Sequence, residues 1–301
     1  MVDYAAYLKE FTQWCEYPDE AVDSLLNDYA KLHANEEIGR RFDALVDLFD
    51  RDLLFNYQGA LEAVKAYSEA TDVPWQAGHL LFALCLTRHT KEKYAAKGLN
   101  DEIYRMSMLD MKWKIRECKK HYNIYGSVAG HWFERFFRPD RFALGRLQFE
   151  PSFAQHDYEK NGHHFHKGDI VINMHIPSCG PMTEELCMDS FRQAEKFFKD
   201  LFPGRPVAFM CNSWLLYPEH ENMLEPTTNI RKFMNFFEIV DGRTDENGGN
   251  LWRVFYAHDY SDPTKLPQET SLQRAYVKLL SSGKPAGSGV GYFFMEDGKI
   301  L

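Results

Sequence analysis

Through the first 140 residues apolar side chains recur every third or fourth position, the period of helices packed along one face. Tyr4, Tyr7, Leu8, Phe11, Trp14 and Cys15 make one such face. Pro18-Asp19-Glu20 opens a second helix with proline and acids in its first turn, and Leu25, Leu26, Tyr29 and Leu32 form its stripe. Further helices are expected over 36–49, over 56–69 and from Pro74. Residues 100–122 read as one long amphipathic helix, with Ile103, Met106, Leu109, Met111, Trp113 and Ile115 spaced for burial. No alternating pattern precedes Tyr125, and there is no internal repeat.

After Arg138-Pro139-Asp140 the period shortens to two. Strands are expected over 142–149 (FALGRLQF) and 168–176 (GDIVINMHI), joined by a polar turn over 155–167. A helix over 183–201, a strand over 207–216 and a helix over 221–236 follow. Next come a strand over 237–240, a polar turn over 241–250 and a strand over 251–258. A helix over 271–280, a Gly/Ser/Pro loop over 283–291 and a strand over 291–296 end the chain. The change of period predicts a helical domain over 1–130 and an α+β domain over 131–301.

Composition narrows the function. The chain has 301 residues with 35 basic and 44 acidic side chains, a net charge of −9, which argues against nonspecific nucleic-acid binding. The 15% aromatic content excludes a disordered chain. The longest apolar run, 77–86, is interrupted by His79 and falls short of the about 20 residues needed to span a bilayer, so no membrane role is expected. The N-terminal stretch carries Asp3 and lacks the apolar core of a signal peptide. The six scattered cysteines, with no CxxC pair, read as reduced thiols, and the expected compartment is the cytosol.

Several segments could carry chemistry. In 173–183 (NMHIPSCGPMT) a strand gives way to a short loop, and Thr183-Glu184-Glu185 starts a helix. Unpaired amides and the positive end of the helix dipole make such a join an anion site, with coenzyme pyrophosphate one candidate occupant. The plain alternative is that Thr183 caps an ordinary helix. His163, His164 and His166, with His156 and His175 nearby, could hold a metal, since His164-x-His166 puts two rings on one side of a strand. No acid or later histidine completes a ligand set, so a solvated turn is favoured and no metal is expected. Cys211 lies in an apolar strand, where core packing outweighs nucleophilic catalysis. Tyr217 ends that strand, where a phenol could donate a proton or simply edge the sheet. The 245–250 turn lacks the spaced acids of a calcium loop. The basic residues Lys112, Lys114, Arg116, Lys119 and Lys120 read as a solvated helix face.

The element order from residue 140 onward resembles the GNAT N-acyltransferase core. LGRLQFE (144–150), GDIVINMHIPSCGPMT (168–183), CNSWLLYP (211–218) and NIRKF (229–233) resemble a bacterial acyltransferase-like family with a helical N-terminal domain and a GNAT-like C-terminal domain. The resemblance implies an α+β fold, an all-helical domain followed by a mixed, mostly antiparallel sheet. Two central parallel strands, 168–176 and 207–216, would splay to admit the pantetheine of a coenzyme A thioester. Ile176, Ser178, Cys179, Gly180, Met182 and Thr183 would hold its pyrophosphate. The implied function is acyl transfer from acyl-coenzyme A to a small-molecule or peptide amine. His175 is the expected base or substrate ligand and Glu150 the second choice, with Ser213 and Tyr217 as proton donors to the departing thiolate. The loop departs from the usual Q/R-x-x-G-x-G/A pattern: it offers only Gly180, and Pro181 removes a donor. A catalytically silent module that binds an acyl-coenzyme or a protein partner is the alternative.

Overall fold

The structure is a computed structural model that describes residues 3–51 and 55–301; Met1 and Val2, part of the N-terminal stretch read above, lie outside the described residues. The chain divides into two compact units, Met1–Phe142 and Ala143–Leu301.

The first unit is helical throughout: α1 (Tyr4–Trp14), α2 (Asp19–Ala34), α3 (Glu36–Arg51), α4 (Tyr57–Ala70), α5 (Trp75–Ala96), α6 (Asp101–Met108), α7 (Asp110–Tyr122), a 3-10 turn (Gly130–Phe133) and α8 (Glu134–Phe137). The apolar run noted above lies in the first half of α5, which is buried at every position from Leu80 to Thr87 and touches α1, α2, α3, α4 and α6. A helix apolar on all sides belongs at the centre of its bundle. Phe42, Phe49, Tyr57, Phe82 and Phe137 meet one another there at ring separations of 5.9–6.4 Å. The single helix expected over 100–122 is two, broken at Leu109. Asp110, buried beside the break, opens the second with an acid in its first turn.

The second unit contains β1 (Phe142–Leu144, which begins one residue before the unit boundary), β2 (Leu147–Phe153), β3 (Tyr158–Lys160), β4 (His163–Phe165), β5 (Ile170–His175), α9 (Glu184–Phe198), β6 (Val207–Ser213), α10 (His220–Met223), α11 (Asn229–Met234), β7 (Glu238–Asp245), α12 (Leu251–Phe255), α13 (Ser271–Ser281), β8 (Ala286–Glu296) and β9 (Lys299–Ile300). The main sheet runs β1-β2-β5-β6-β8-β7, with β9 on β8; β3 and β4 pair separately. β5 and β6 are parallel, whereas β2–β5, β6–β8, β7–β8 and β8–β9 are antiparallel. The fold is therefore α+β with a mixed, mostly antiparallel sheet.

Register separates the two faces of the sheet. One carries Phe149, Ile172, Met174, Phe209, Cys211 and Phe293 and packs against Phe191 of α9; Phe209 and Phe293 stack at 4.9 Å. The other carries Gln148, Glu150, Asn173, His175, Asn212 and Tyr292. Over its far end, the β3–β4 hairpin lays Tyr158 and Phe165 against Tyr292 and Phe294.

Several expected elements differ. The strand expected over 142–149 is a hairpin, because Gly145, at φ +67°, turns the chain between β1 and β2. The polar turn over 155–167 contains the β3–β4 hairpin, turned at Asn161-Gly162 with φ of 53° and 78°. The strand over 207–216 stops at Ser213, and the helix over 221–236 is two short pieces around Pro226. Residues 251–258 are not a strand: Leu251, Val254 and Phe255 are the buried positions of α12, an i, i+3, i+4 set. β7 continues to Asp245 through the expected turn, and β8 begins at Ala286 inside the expected loop. On β8, Gly287, Gly289 and Gly291 share the core face; a Cβ on Gly289 would land on the Leu216 carbonyl, so the strand is bare where 214–217 crosses it.

Candidate active site

β5 and β6 pair at Ile172↔Phe209 and Asn173↔Met210 and no further. Beyond that point each strand keeps its outer partner: His175 stays opposite Gln148 on β2, and Cys211, Asn212 and Ser213 stay opposite Gly291, Val290 and Gly289 on β8. The central strands therefore part after Asn173 and Met210. Backbone donors and acceptors that would have joined them line a wedge, and such groups need a partner from solvent or a ligand.

On the polar face beside the wedge, β2 and β5 set Glu150 directly opposite Asn173, with His175 two residues on. His175 Nε2 lies 3.0 Å from Glu150 Oε1, and Glu150 is 5% exposed. Asn173 Nδ2 is 3.3 Å from the same imidazole nitrogen. Nε2 cannot both donate to the carboxylate and accept from the amide, and the charge-assisted bond to Glu150 is the stronger. That bond puts the proton on Nε2 and the lone pair on Nδ1. The Asn173 Oδ1 atom is buried and has no hydrogen-bond partner among the described residues. Across the wedge, Asn212 donates to Gln155 Oε1 at 3.2 Å. The Tyr292 hydroxyl accepts from the Gln155 and His156 amides, and His156 Nε2 lies 3.6 Å from Asp241 Oδ2.

At the end of β5 the chain enters the loop of 177–183, where Gly180 has φ +127°. Thr183 caps α9 by accepting from the Leu186 amide at 3.4 Å. The amides of Gly180, Met182 and Thr183 meet no acceptor among the described residues. The two acids of the first turn are engaged: Glu184 pairs with Lys232 at 3.0 Å. Bonds from its own backbone amide and from Thr183 hold the Glu185 carboxyl below its ordinary range.

Residues 142–293 match the model of the GNAT-like C-terminal domain, and residues 6–139 match that of the N-acyltransferase N-terminal domain. The chain belongs to this acyltransferase-like family. Its fold is also that of a solved acyltransferase in complex with decanoyl-CoA and teicoplanin, at 20% identity and a TM-score of 0.71, covering 95% of this chain and 87% of that one. A mutant acyltransferase in complex with octanoyl-CoA matches at 19% identity and 0.71 over the same shares. No curated protein matches the sequence at a significant level.

Within the GNAT-like unit the expected residues fall into three places. His175 and Glu150 are brought together. Ile176, Ser178, Cys179, Gly180, Met182 and Thr183 form the strand-to-helix connection beside them. Ser213 and Tyr217 belong to the other face: Ser213 Oγ accepts from the Leu215 amide at 3.2 Å, and the Tyr217 hydroxyl donates to the Pro285 carbonyl at 3.2 Å. The Tyr217 ring is buried with Leu251, Phe255 and Tyr276, and burial raises its phenol pKa. Cys211 is fully buried, which pushes its thiol pKa up and keeps it protonated. His163 packs on the Phe294 ring, where it helps line a cavity of about 310 Å³ with Phe165, Phe202 and Arg205. The His164 and His166 rings are 5.7 Å apart; among the described residues no three His, Cys, Asp or Glu side chains converge as metal ligands would. Among the described residues no helix is long and apolar enough to cross a membrane.

The residues missed in the sequence are Asn212, the Gln155-His156 strap, and Arg146. The signal for Arg146 was present in Gly145-Arg146, a turn pair inside a run read as one strand.

Proposed function

We propose that this chain transfers an acyl group from an acyl-coenzyme A thioester to an amine carried by a small molecule or peptide. The observation that carries the reading is the parting of β5 and β6 after Asn173 and Met210, next to a loop in which the amides of Gly180, Met182 and Thr183 face no acceptor among the described residues. Acyltransferases of the same fold, solved with decanoyl-CoA or octanoyl-CoA, support it, and the first of those also holds the glycopeptide teicoplanin. In this reading the pantetheine arm pairs with the exposed backbone of the wedge, and the pyrophosphate meets the amides of Gly180, Met182 and Thr183 at the start of α9. His175, oriented by Glu150, takes the proton from the incoming ammonium, so that the neutral amine attacks the thioester carbonyl. Backbone N–H groups of the parted strand stabilise the oxyanion. The thiolate leaves and is protonated from solvent, since Ser213 and Tyr217 are turned to the other face.

A thermal-shift titration with coenzyme A and short acyl derivatives is the first test. A ligand at about 100 times its Kd stabilises the native state by roughly 2.7 kcal/mol. Product formation is then assayed with octanoyl-CoA and a panel of amines. Stabilisation with no product from any amine leaves a silent binder, and no stabilisation rejects the coenzyme.

A further inference from the structure

The loop after β5 has the task that several glycines perform in a glycine-rich phosphate loop, yet it has one glycine and two prolines. Prolines 177 and 181 contribute acceptors but no amide donors. Both of their carbonyls, and that of Gly180, point at one side chain. Arg146 donates from Nη1 to Pro177 O at 3.0 Å, from Nη2 to Gly180 O at 2.9 Å and from Nε to Pro181 O at 3.2 Å. The Cys179 thiol in turn donates to the Arg146 carbonyl at 3.6 Å. Arg146 is itself fixed, since its amide donates to Ser190 Oγ of α9 at 2.7 Å, the Leu147 amide approaches the same oxygen at 3.3 Å, and that hydroxyl donates to Leu186 O. The turn can come this close because Gly145 has no side chain: a Cβ there would sit 2.7 Å from Ser190 Oγ. One β-turn thus grips both the loop and the helix that follows it.

We infer that Arg146 is a positioning residue for coenzyme binding: by drawing three loop carbonyls to one side it turns the amides of Gly180, Met182 and Thr183 outward, towards the pyrophosphate. The inference rests on the coenzyme reading given above. The planar guanidinium matters because its donors diverge in a fixed fork, which an ammonium cannot reproduce. Three of its five N–H donors hold loop carbonyls, and it is through the loop that Arg146 is proposed to act on the phosphates.

The test compares wild type, Arg146→Gln and Arg146→Lys by calorimetric Kd for octanoyl-CoA and for octanoyl-pantetheine, which lacks the pyrophosphate. Arg146→Gln should weaken octanoyl-CoA by about tenfold or more while octanoyl-pantetheine changes less than about twofold, because the loop those donors hold meets only the phosphates. Arg146→Lys keeps the charge and most of the packing, guards against a Gln variant that fails to fold, and should still lose several-fold on octanoyl-CoA. Wild-type affinity in either variant overturns the inference; full recovery by lysine would mean that charge suffices. An equal loss on both ligands also overturns it, since that would be a general weakening of the unit. A wild-type protein that binds neither ligand rejects the coenzyme reading itself, and the role of Arg146 with it.

Discussion

Strand β6 is paired with β8 at all seven of its residues, from Val207 to Ser213, but with β5 at Ile172↔Phe209 and Asn173↔Met210 alone. On the β8 flank the core-facing side is filled with rings, and three glycines let the following segment lie against the strand. On the β5 flank the polar face carries Glu150, Asn173, His175 and Asn212, and the backbone is left open. Pairing and packing stabilise the closed flank; the open flank forgoes that stability and keeps groups available for a ligand.

If the two flanks divide the labour in this way, substitutions should separate cleanly. His175→Ala should lower turnover with acyl-CoA and an accepted amine by about 10²–10⁴-fold, the usual contribution of a positioned base. Glu150→Gln should give a smaller loss of rate. Wild-type turnover in His175→Ala would break the assignment of chemistry to the open flank. On the closed flank, Phe209→Ala empties a site bounded by Phe149, Phe191 and Phe293. It should cost about 3–5 kcal/mol in chemical denaturation.

A third measurement uses His220, buried behind the segment that follows β6, with Nε2 2.8 Å from the Tyr276 hydroxyl and Nδ1 3.3 Å from the Leu215 carbonyl. Burial lowers its pKa from the ordinary 6.5 to about 4. The folded state then binds this proton less readily than the unfolded state. The contribution is complete above pH 6.5 and is lost as pH falls towards 4, by roughly 3 kcal/mol at most. The difference in unfolding free energy between wild type and His220→Gln, followed from pH 7 to 4, should shrink by that order; a flat difference would contradict it. The smallest effect is expected for Gly289→Ala, about 1–3 kcal/mol from forcing a methyl group onto the Leu216 carbonyl, read as a lowered melting temperature.

How far the sequence spoke depended on the range of the interaction. Helices α1 to α5 were legible because each shows its own apolar face, or in α5 its own apolar run. The strand pair that parts was legible as two apolar segments, and His175 and Glu150 were each singled out. Their meeting was not readable, because it depends on the register of β2 against β5, a long-range property. Tyr217 misled for a similar reason: its place at a strand end says nothing about which face it takes, and the bare glycines of β8 draw it into the core. Gly287, Gly289 and Gly291 resembled a loop because glycine marks both turns and close backbone approach. Residues 251–255 were read with period two although Leu251, Val254 and Phe255 had the helical spacing.

The outermost strand has a consequence for how molecules of this protein meet. Among the described residues β7 pairs with β8 alone, and its residues include Glu238, Asp241, Arg243 and Asp245, with an irregularity between Ile239 and Asp241. A second molecule docking there in strand-to-strand fashion would have to desolvate carboxylates and match a kinked ribbon. Growth into stacked chains is therefore blocked at this border, and the concentrated native protein should resist fibril formation there without help from a chaperone.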